Sequence, residues 1–241
     1  GYAGKKYRAS ESFMGWVSSN SPYSAAEVKR DLLPVFRNKE QLLRRLPEYK
    51  ADLLSEHTAS TLGSDAIQLA TERKYKEAMD MADFAVTLAE LVNDTTAKPV
   101  AYICKAQVYL EQDDYFSTIK WSDKAVAASA VAHNKGFELQ AIIKKGYCLY
   151  KISRDKESEQ QFRLAYQKIS GWRDSLSATD FYDNLRKIYQ YRSSISYRNG
   201  RYDEALSLID TAIVMNKALN SYDAQLSNAL FYAFKGRVYN D

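Results

Sequence analysis

Thiols and imidazoles are the side chains most often used as nucleophiles and metal ligands, and both are scarce in this sequence. The chain has two cysteines, Cys104 and Cys148, and two histidines, His57 and His133. Neither histidine has a carboxylate, a cysteine or the other histidine at ligand or relay spacing, so no metal site is predicted. The two cysteines are too few and too far apart for a disulfide framework. We expect both to be unpaired, buried small apolar residues.

Sequence motifs that carry catalytic or cofactor chemistry are also absent. The chain contains no His-Glu-x-x-His, Gly-x-Ser-x-Gly, Cys-x-x-Cys or Gly-x-Gly-x-x-Gly, and residues 1–6 lack the length and terminal hydroxyl of a phosphate loop. The sequence therefore predicts a protein that is not an enzyme and that has no cofactor.

The composition indicates long helices. Hydrophobic residues make up 46% of the 241 residues and charged residues 27%, which is typical of a folded soluble domain and not of a disordered chain. Nine glycines and four prolines are too few for the turns of an all-β sandwich or barrel. We therefore expect an all-α fold.

The net charge of +4 is concentrated near the N-terminus, where residues 1–50 hold ten Lys or Arg against five Asp or Glu. This basic segment, which includes Arg37, Lys39, Arg44 and Arg45, is either a solvated helix face or a contact to a membrane surface or nucleic acid. The rest of the chain is close to neutral. No nucleic-acid partner is expected for it, because binding phosphates needs a basic face.

Membrane and targeting signals give limited information. No run of eighteen apolar residues exists, so no transmembrane helix is predicted within this chain. The sequence begins with Gly1 and not with methionine, which suggests a processed or trimmed chain whose targeting segment has been removed. The compartment stays open between periplasm and cytoplasm, with the periplasm favoured if the chain is a trimmed sensor fragment.

An internal repeat runs through residues 59–241. Its clearest copy is Asn199-Gly-Arg-Tyr-Asp-Glu-Ala205, followed by Ile209 and Ala212, and residues 73–78 with Ala82 and Ala85 repeat the spacing from tyrosine to alanine. Alignment adds two weaker copies, which are Tyr115, Thr118, Ser122 and Ala125, and then Asp155, Ser158, Phe162 and Ala165. Each copy reads as the second helix of a hairpin, and we expect Ala78 and Ala205 to be buried against the first helix.

A small residue precedes each of these helices at a fixed distance and marks the first helix of the hairpin. The intervals between successive small residues are 40, 40, 47 and 43. The small residues are Ala66, Ala106, Gly146, Ser193 and, in a fifth copy, Gly236. A small side chain lets the two helices approach closely, and a short polar break between them predicts a turn.

These features together resemble the tetratricopeptide repeat (TPR): small-x-x-bulky, then Gly-x-Tyr-x-x-Ala, as in Gly200, Tyr202 and Ala205, then a second alanine. The resemblance covers about three quarters of the chain. It implies a right-handed superhelical solenoid of antiparallel helix hairpins, with four hairpins and the first helix of a fifth in residues 59–241. The intervals exceed the usual repeat of about 34 residues, and such longer copies are similar to those of bacterial sensor and regulator proteins.

Residues 1–58 do not fit the repeat and are predicted to form an N-terminal helical cap. A helix should begin at the capping box Ser24–Glu27, expose an apolar face from Val28 to Leu33 and be disturbed at Pro34. A second helix should contain Leu42, Leu43, Leu46, Tyr49 and Leu53. Between the third and fourth copies, seven extra residues around 171–180 predict a longer loop or an added helical turn.

TPR arrays bind partners on a concave face lined by their first helices, and the resemblance therefore implies a binding face here. Once the packing positions are removed, nine residues remain as candidates for that face. They are Gln107, Tyr147, Tyr150, Lys151, Gln190, Ser194, Tyr197, Arg198 and Arg237. We expect Tyr150, Lys151, Tyr197 and Arg198 to form a continuous aromatic and basic strip, because each aromatic-cation pair follows its small packing residue at the same distance.

Aromatic rings with interspersed cations suit an extended peptide or protein, especially an acidic one, and less well a sugar or other small ligand. Tyrosines at helical spacing can equally be core residues. Two functions therefore stay open: a binding scaffold for another protein, and the ligand-sensing domain of a bacterial membrane-anchored regulator whose effector module lies outside this sequence. The full-length reading frame would distinguish the two.

Overall fold

The computed structural model describes residues 25–49, 56–92, 94–219 and 222–240, and every regular element in these ranges is helical. The α-helices are α1 (Ala25–Leu32), α2 (Lys39–Arg45), α3 (Glu56–Thr71), α4 (Tyr75–Val92), α5 (Ala97–Glu111), α6 (Tyr115–Val131), α7 (Lys135–Lys151), α8 (Asp155–Gly171), α9 (Ala178–Arg198), α10 (Tyr202–Lys217) and α11 (Tyr222–Asn240). Short 3-10 turns cover Leu33–Val35, Leu46–Tyr49 and Arg173–Ser175. The all-α prediction is confirmed.

Helices α3 to α10 pack as four consecutive hairpins, and α11 follows them and packs on α10. The first helices of the hairpins are α3, α5, α7 and α9, and the second helices are α4, α6, α8 and α10. The predicted small residues fall on the first helices, and the copies of the tyrosine-alanine motif fall on the second helices.

The turns within the four hairpins share one backbone geometry. Each turn has one residue with a positive φ, at Arg73 (62°), Asp113 (56°), Ser153 (61°) and Gly200 (71°). In each turn, the next residue donates its N–H to a carbonyl in the last turn of the first helix, as from Arg201 to Ser196 (2.9 Å). The polar breaks that the sequence shows between the two helices are thus four copies of one left-handed helix end.

The two helices of a hairpin meet closely at the small residue. A Cβ added to Gly146 would lie 2.9 Å from the ring of the fully buried Phe162 on α8. At this crossing, two hairpins have a buried hydrogen bond between their helices. The second helix donates it in the third hairpin, and the first helix donates it in the fourth. Ser158 Oγ donates to the carbonyl of Gly146 (2.7 Å), and Ser193 Oγ donates to the carbonyl of Ala205 (2.6 Å). Ala78 and Ala205 are fully buried, as predicted.

Neighbouring hairpins pack through two kinds of contact, between successive first helices and between a second helix and the first helix that follows it. Helix α3 contacts α5, α5 contacts α7 and α7 contacts α9, and each second helix also contacts the first helix that follows it. Within the described residues, no two consecutive second helices contact each other to a similar extent. The first helices are therefore closer together than the second helices, which is the arrangement of a row of hairpins that curves toward its first helices.

The N-terminal helices pack on the first hairpin. Val28, Leu32 and Leu42 are fully buried in the same apolar cluster as Phe84 of α4, and Lys29 Nζ pairs with Asp65 of α3 at 2.8 Å. Helix α1 ends at Leu32 and gives way to a 3-10 turn at Pro34, as predicted. Ser24 and Leu53, which belong to the two predicted helices, lie outside the described residues.

One local difference from the sequence prediction has a simple cause, and one alternative that the sequence left open has an answer. Leu42 and Leu43 lie in α2, but Leu46 and Tyr49 lie in a separate 3-10 turn because Pro47 cannot continue the α-helix. The extra residues between the third and fourth hairpins form both predicted features. A 3-10 turn follows Gly171, and Ser177 caps α9, which has 21 residues where α7 has 17.

Candidate partner-binding face

The candidate face consists of side chains of α5, α7 and α9 that point away from the hairpin interiors, and its first part joins α5 to α7. Gln107 Nε2 donates to Glu111 Oε1 at 2.6 Å, and Gln107 Oε1 accepts a hydrogen bond from Lys144 Nζ. Burial lowers the pKa of Lys144 to about 8. Lys144 is not among the residues predicted from the sequence, although it stands three residues before Tyr147 on the same helix and so lies on the same helix face.

Aromatic rings join α7 to α9. The rings of Tyr147 and Tyr191 lie 5.1 Å apart, and Tyr191 stacks on Phe162 of α8 at 5.4 Å. Burial raises the pKa of Tyr191 to about 12. Tyr147 is half-buried, so one part of its ring packs in the interface between hairpins and the rest remains on the surface.

Lys151 ends α7 beside two of these aromatic rings. Its Nζ lies 5.6 Å from the ring centroid of Tyr115 and 5.9 Å from that of Tyr147. The side chain is exposed, and no ion pair joins it to a carboxylate within the described ranges. Lys151 is therefore a cation held near aromatic faces with its charge available to another molecule.

Arg198 has partners within the protein. Its guanidinium carbon lies 3.9 Å from the ring centroid of Tyr150, and Nη2 donates to the Tyr150 carbonyl at 2.8 Å. Nη2 also bonds to Asp155 Oδ1 at 2.6 Å, at the start of α8. Tyr150 and Arg198 thus join the third hairpin to the fourth, and Asp155, which the sequence did not identify, is the anion that orients the arginine.

Tyr197 contacts the helices that follow it. Its ring lies 5.8 Å from that of Tyr202 on α10 and 5.4 Å from that of Phe234 on α11. The structure thus brings Tyr150 and Arg198 together, places Lys151 beside Tyr147, and directs Tyr197 toward the next hairpin position. The four residues form contacts between hairpins as well as a surface.

Polar side chains continue the face along α9. Arg186 Nη1 donates to Gln190 Oε1 at 3.3 Å, and Ser194 Oγ donates to the Gln190 carbonyl at 3.2 Å. Asp183 pairs with Lys187 and Arg186, each at 2.6 Å. Although burial opposes the charge of Asp183, these two cations hold its pKa below the usual range. Arg237 on α11 is exposed beyond this row.

The two cysteines and the two histidines are the other side chains that could take part in catalysis or metal binding. Cys104 and Cys148 are free and buried, as predicted, and burial raises the pKa of each thiol to about 12. His133 is exposed in the turn between α6 and α7, and His57 lies in α3. Across the ranges that the structure describes, no group of three or more His, Cys, Asp or Glu side chains could hold a metal ion. None of the helices in these ranges is long and apolar enough to span a bilayer.

Helical hairpins with a common turn, a small-residue crossing and first helices packed in a row define the class of this protein, an all-α TPR-like repeat array. Two solved structures share the fold, both described as nearly identical TPR-like repeats of a kinesin light chain from Podosopora anserina, one of them a point variant. Each has a TM-score of 0.51 and 11% identity, and the match covers 75% of this chain and 92% of the other. No family profile and no curated protein matches the chain.

Proposed function

We propose that this protein is a non-catalytic scaffold that binds another protein or an extended peptide on the face formed by α5, α7 and α9. The observation that carries the proposal is a continuous row of half-buried polar and aromatic side chains across three first helices that pack on one another. Gln107 meets Lys144 at one junction of this row, and Tyr147 meets Tyr191 at the next. A TPR-like array offers such a row as an extended surface for an extended partner.

The chemistry of the face favours an acidic partner. Lys151 is exposed beside two aromatic rings and has no ion pair within the described chain, whereas Lys187 is already paired with Asp183. A carboxylate of the partner would gain a charged contact at Lys151, and apolar or planar groups would pack on the exposed part of Tyr147. Sugars and other small ligands fit less well, because the face is extended.

The buried thiols support a role without catalysis. A nucleophilic cysteine needs a thiolate, and a pKa of about 12 keeps Cys104 and Cys148 protonated at neutral pH. An array of hairpins also spreads its side chains over an open surface, whereas catalysis generally requires groups that converge in a concave pocket.

The test uses a random linear peptide library displayed on phage, followed by measurement of the affinity of enriched peptides by fluorescence anisotropy. We expect enrichment of acidic sequences and a several-fold loss of affinity in Lys151→Glu, greater at low salt because the interaction is between exposed charges. Lys156→Glu is the matched control, since it makes the same charge change at an exposed position of α8, a second helix.

Two results would contradict the proposal. One is a library from which no peptide is enriched over an unrelated helical protein. The other is a peptide whose affinity falls equally in Lys151→Glu and Lys156→Glu, because that outcome would mean an effect of net charge and not of the face. Arg198 is not suited to this test, since its substitution would also break the contact between the third and fourth hairpins.

The repeat intervals support a second function, that of the ligand-sensing domain of a bacterial regulator. Intervals of 40, 40 and 47 residues resemble the long copies of such proteins. A full-length reading frame in which this region adjoins a membrane helix and a DNA-binding or kinase module would support the sensor function. A reading frame without any effector module would leave the scaffold as the function of the protein.

A further inference from the structure

A cavity of about 460 Å³ lies between the N-terminal helices and the first hairpin. Three parts of the fold line it: α1 with the residues that directly follow it, α3 and α4. Ligand pockets in proteins have volumes of about 300–1,000 Å³ and often lie where two structural units meet. The cavity therefore has the size and the position of a site for a small molecule.

One part of the cavity lining is apolar. Leu33 and Phe36 line it from the N-terminal side, and Leu69 of α3 and Met81 of α4 line it from the first hairpin. Met81 is buried, and the other three side chains are partly buried and pack against the same apolar cluster. The ring of Phe36 lies 5.6 Å from that of Phe84. An apolar group of a ligand would thus leave water for a surface that is already formed.

Four charged side chains also line the cavity, and their charges are separated by sign. The two cations, Lys29 and Arg37, come from the N-terminal side. The two anions, Glu77 and Asp80, stand three residues apart on α4 and so lie on one face of that helix. The lining has no net charge, but it has a positive side and a negative side.

An ion pair between Arg37 and Asp80 joins the two sides. Only one guanidinium nitrogen and one carboxylate oxygen take part in it, and the side chains remain 69% and 32% exposed, so both keep capacity for another partner. Glu77 is exposed as well, whereas Lys29 is paired at 2.8 Å with Asp65, which does not line the cavity. Arg37, Glu77 and Asp80 are therefore the charges best placed to meet a ligand.

We infer that this cavity binds a free apolar α-amino acid. The side chain of the amino acid packs on Leu69 and Met81, its carboxylate accepts hydrogen bonds from Arg37, and its ammonium group donates to Asp80 and Glu77. A zwitterion suits a lining that is neutral overall and divided by sign, and a guanidinium is well suited to a carboxylate. Because Arg37 contacts Asp80 directly, the two sides are close enough for one amino acid to reach both.

This site is separate from the proposed partner-binding face. Its lining residues belong to α1, the residues after it, α3 and α4, whereas the face is formed by α5, α7 and α9. The inference therefore does not depend on the proposed function. It also assigns a role to Arg37, a member of the basic segment near the N-terminus.

Isothermal titration calorimetry with single amino acids, at concentrations up to about 10 mM, tests the site. We expect leucine and phenylalanine to bind, and aspartate and lysine to bind at least about tenfold more weakly, because the apolar part of the lining cannot solvate a charged side chain. N-acetylphenylalanine lacks the ammonium group and phenylalaninamide lacks the carboxylate. Each should bind about tenfold more weakly than phenylalanine.

Two variants assign the charged contacts. Arg37→Gln should weaken the binding of phenylalanine about tenfold and leave that of phenylalaninamide unchanged, because the amide has no carboxylate to lose a contact. Glu77→Gln should likewise weaken the binding of phenylalanine but not that of N-acetylphenylalanine. Arg44→Gln is the matched control, since Arg44 is also exposed and paired with a carboxylate but does not line the cavity.

Circular dichroism checks that each variant keeps its helix content, and Glu77→Gln, at an exposed position, still tests the site if Arg37→Gln disturbs the N-terminal helices. A parent chain that binds neither leucine nor phenylalanine would overturn the inference. Equal losses in Arg37→Gln and Arg44→Gln would overturn it too, because they would reflect net charge alone. So would N-acetylphenylalaninamide that binds as well as phenylalanine, since the cavity would then accept an apolar side chain of a peptide and not a free amino acid.

Discussion

Gly146 and Gly236 occupy the same position in the first helices of two different repeats, and their surroundings are opposite. The first meets the ring of Phe162 and the second meets open space. A glycine inside a helix costs about 0.5–1 kcal/mol relative to alanine, so it persists where its lack of a side chain is needed. At Gly146 that need is the close crossing of α7 and α8, whereas at Gly236 the crossing has no second helix in the described structure.

Alanine substitution at these two glycines should therefore have opposite effects. Gly146→Ala is expected to lower the free energy of unfolding by about 1–3 kcal/mol, because the added Cβ would lie 2.9 Å from the fully buried ring of Phe162. Gly236→Ala should raise it by up to about 1 kcal/mol through the better helix propensity of alanine. Urea unfolding at a low protein concentration measures both. Equal changes in the two variants would mean that the small-residue alignment does not describe the helix crossing.

At the scale of elements, the repeat could be predicted from the sequence because its signals are local. The small residue, the polar break and the tyrosine-alanine spacing each depend on residues within a single hairpin. The small residue determines where the two helices cross, and the polar break determines where the turn lies. The left-handed residues confirm this, since Arg73, Asp113, Ser153 and Gly200 repeat at the same intervals as the small residues. The break at Pro47 shows the limit, because apolar periodicity alone continues across a proline that ends the helix.

The turns also make a prediction about stability. A residue other than glycine with positive φ is strained by about 1–2 kcal/mol, and glycine removes that strain at a smaller entropic cost. Arg73→Gly should therefore stabilise the protein by about 0.5–1 kcal/mol. Gly200→Ala should destabilise it by a similar amount, since a Cβ there meets no atom within 4 Å and only the backbone is affected.

Arg73→Ala serves as the control for this pair, because it removes the arginine side chain but keeps the strain, and it should shift the free energy of unfolding by less than about 0.5 kcal/mol. The measurement is the midpoint of urea unfolding for all three variants. If Arg73→Gly and Arg73→Ala behave alike, the positive φ at this turn has no influence on stability.

At the scale of the whole molecule, contacts between hairpins decide which side chains remain available to a partner. At three junctions, the residue that begins the second helix of one hairpin contacts the residue that ends the first helix of the following hairpin. The three pairs are Tyr75 with Glu111 (3.3 Å), Tyr115 with Lys151 (5.6 Å) and Asp155 with Arg198 (2.6 Å). The alignment of the repeats placed Lys151 and Arg198 at equivalent positions. The sequence alone could not predict that, of these two residues, only Arg198 lies beside a carboxylate. The difference comes from the residue opposite, which is Tyr115 for Lys151 and Asp155 for Arg198. Which residues of neighbouring hairpins stand opposite each other is a property of the assembled array.

The contact between Asp155 and Arg198 should therefore couple the fourth hairpin to the third. In a repeat array, stability is approximately a sum of hairpin terms and nearest-neighbour interface terms, so a weakened interface lets one end open separately. Arg198→Ala removes a charge-assisted hydrogen bond and a cation–π contact. Both groups are partly exposed to solvent, with side-chain exposures of 33% and 19%, and screening limits the expected loss to about 1–2 kcal/mol.

Hydrogen exchange measured by mass spectrometry locates this loss. In Arg198→Ala, amides of α10 and α11 should exchange faster while those of α3 to α5 stay unchanged, because the opening is confined to the C-terminal side of the weakened interface. Arg201→Ala is the matched control: it breaks the ion pair with Glu204 within α10's own first turn, leaves the interface intact and should change exchange little. Faster exchange spread evenly over all helices would show that the array unfolds as one unit and that Arg198 contributes only to its overall stability.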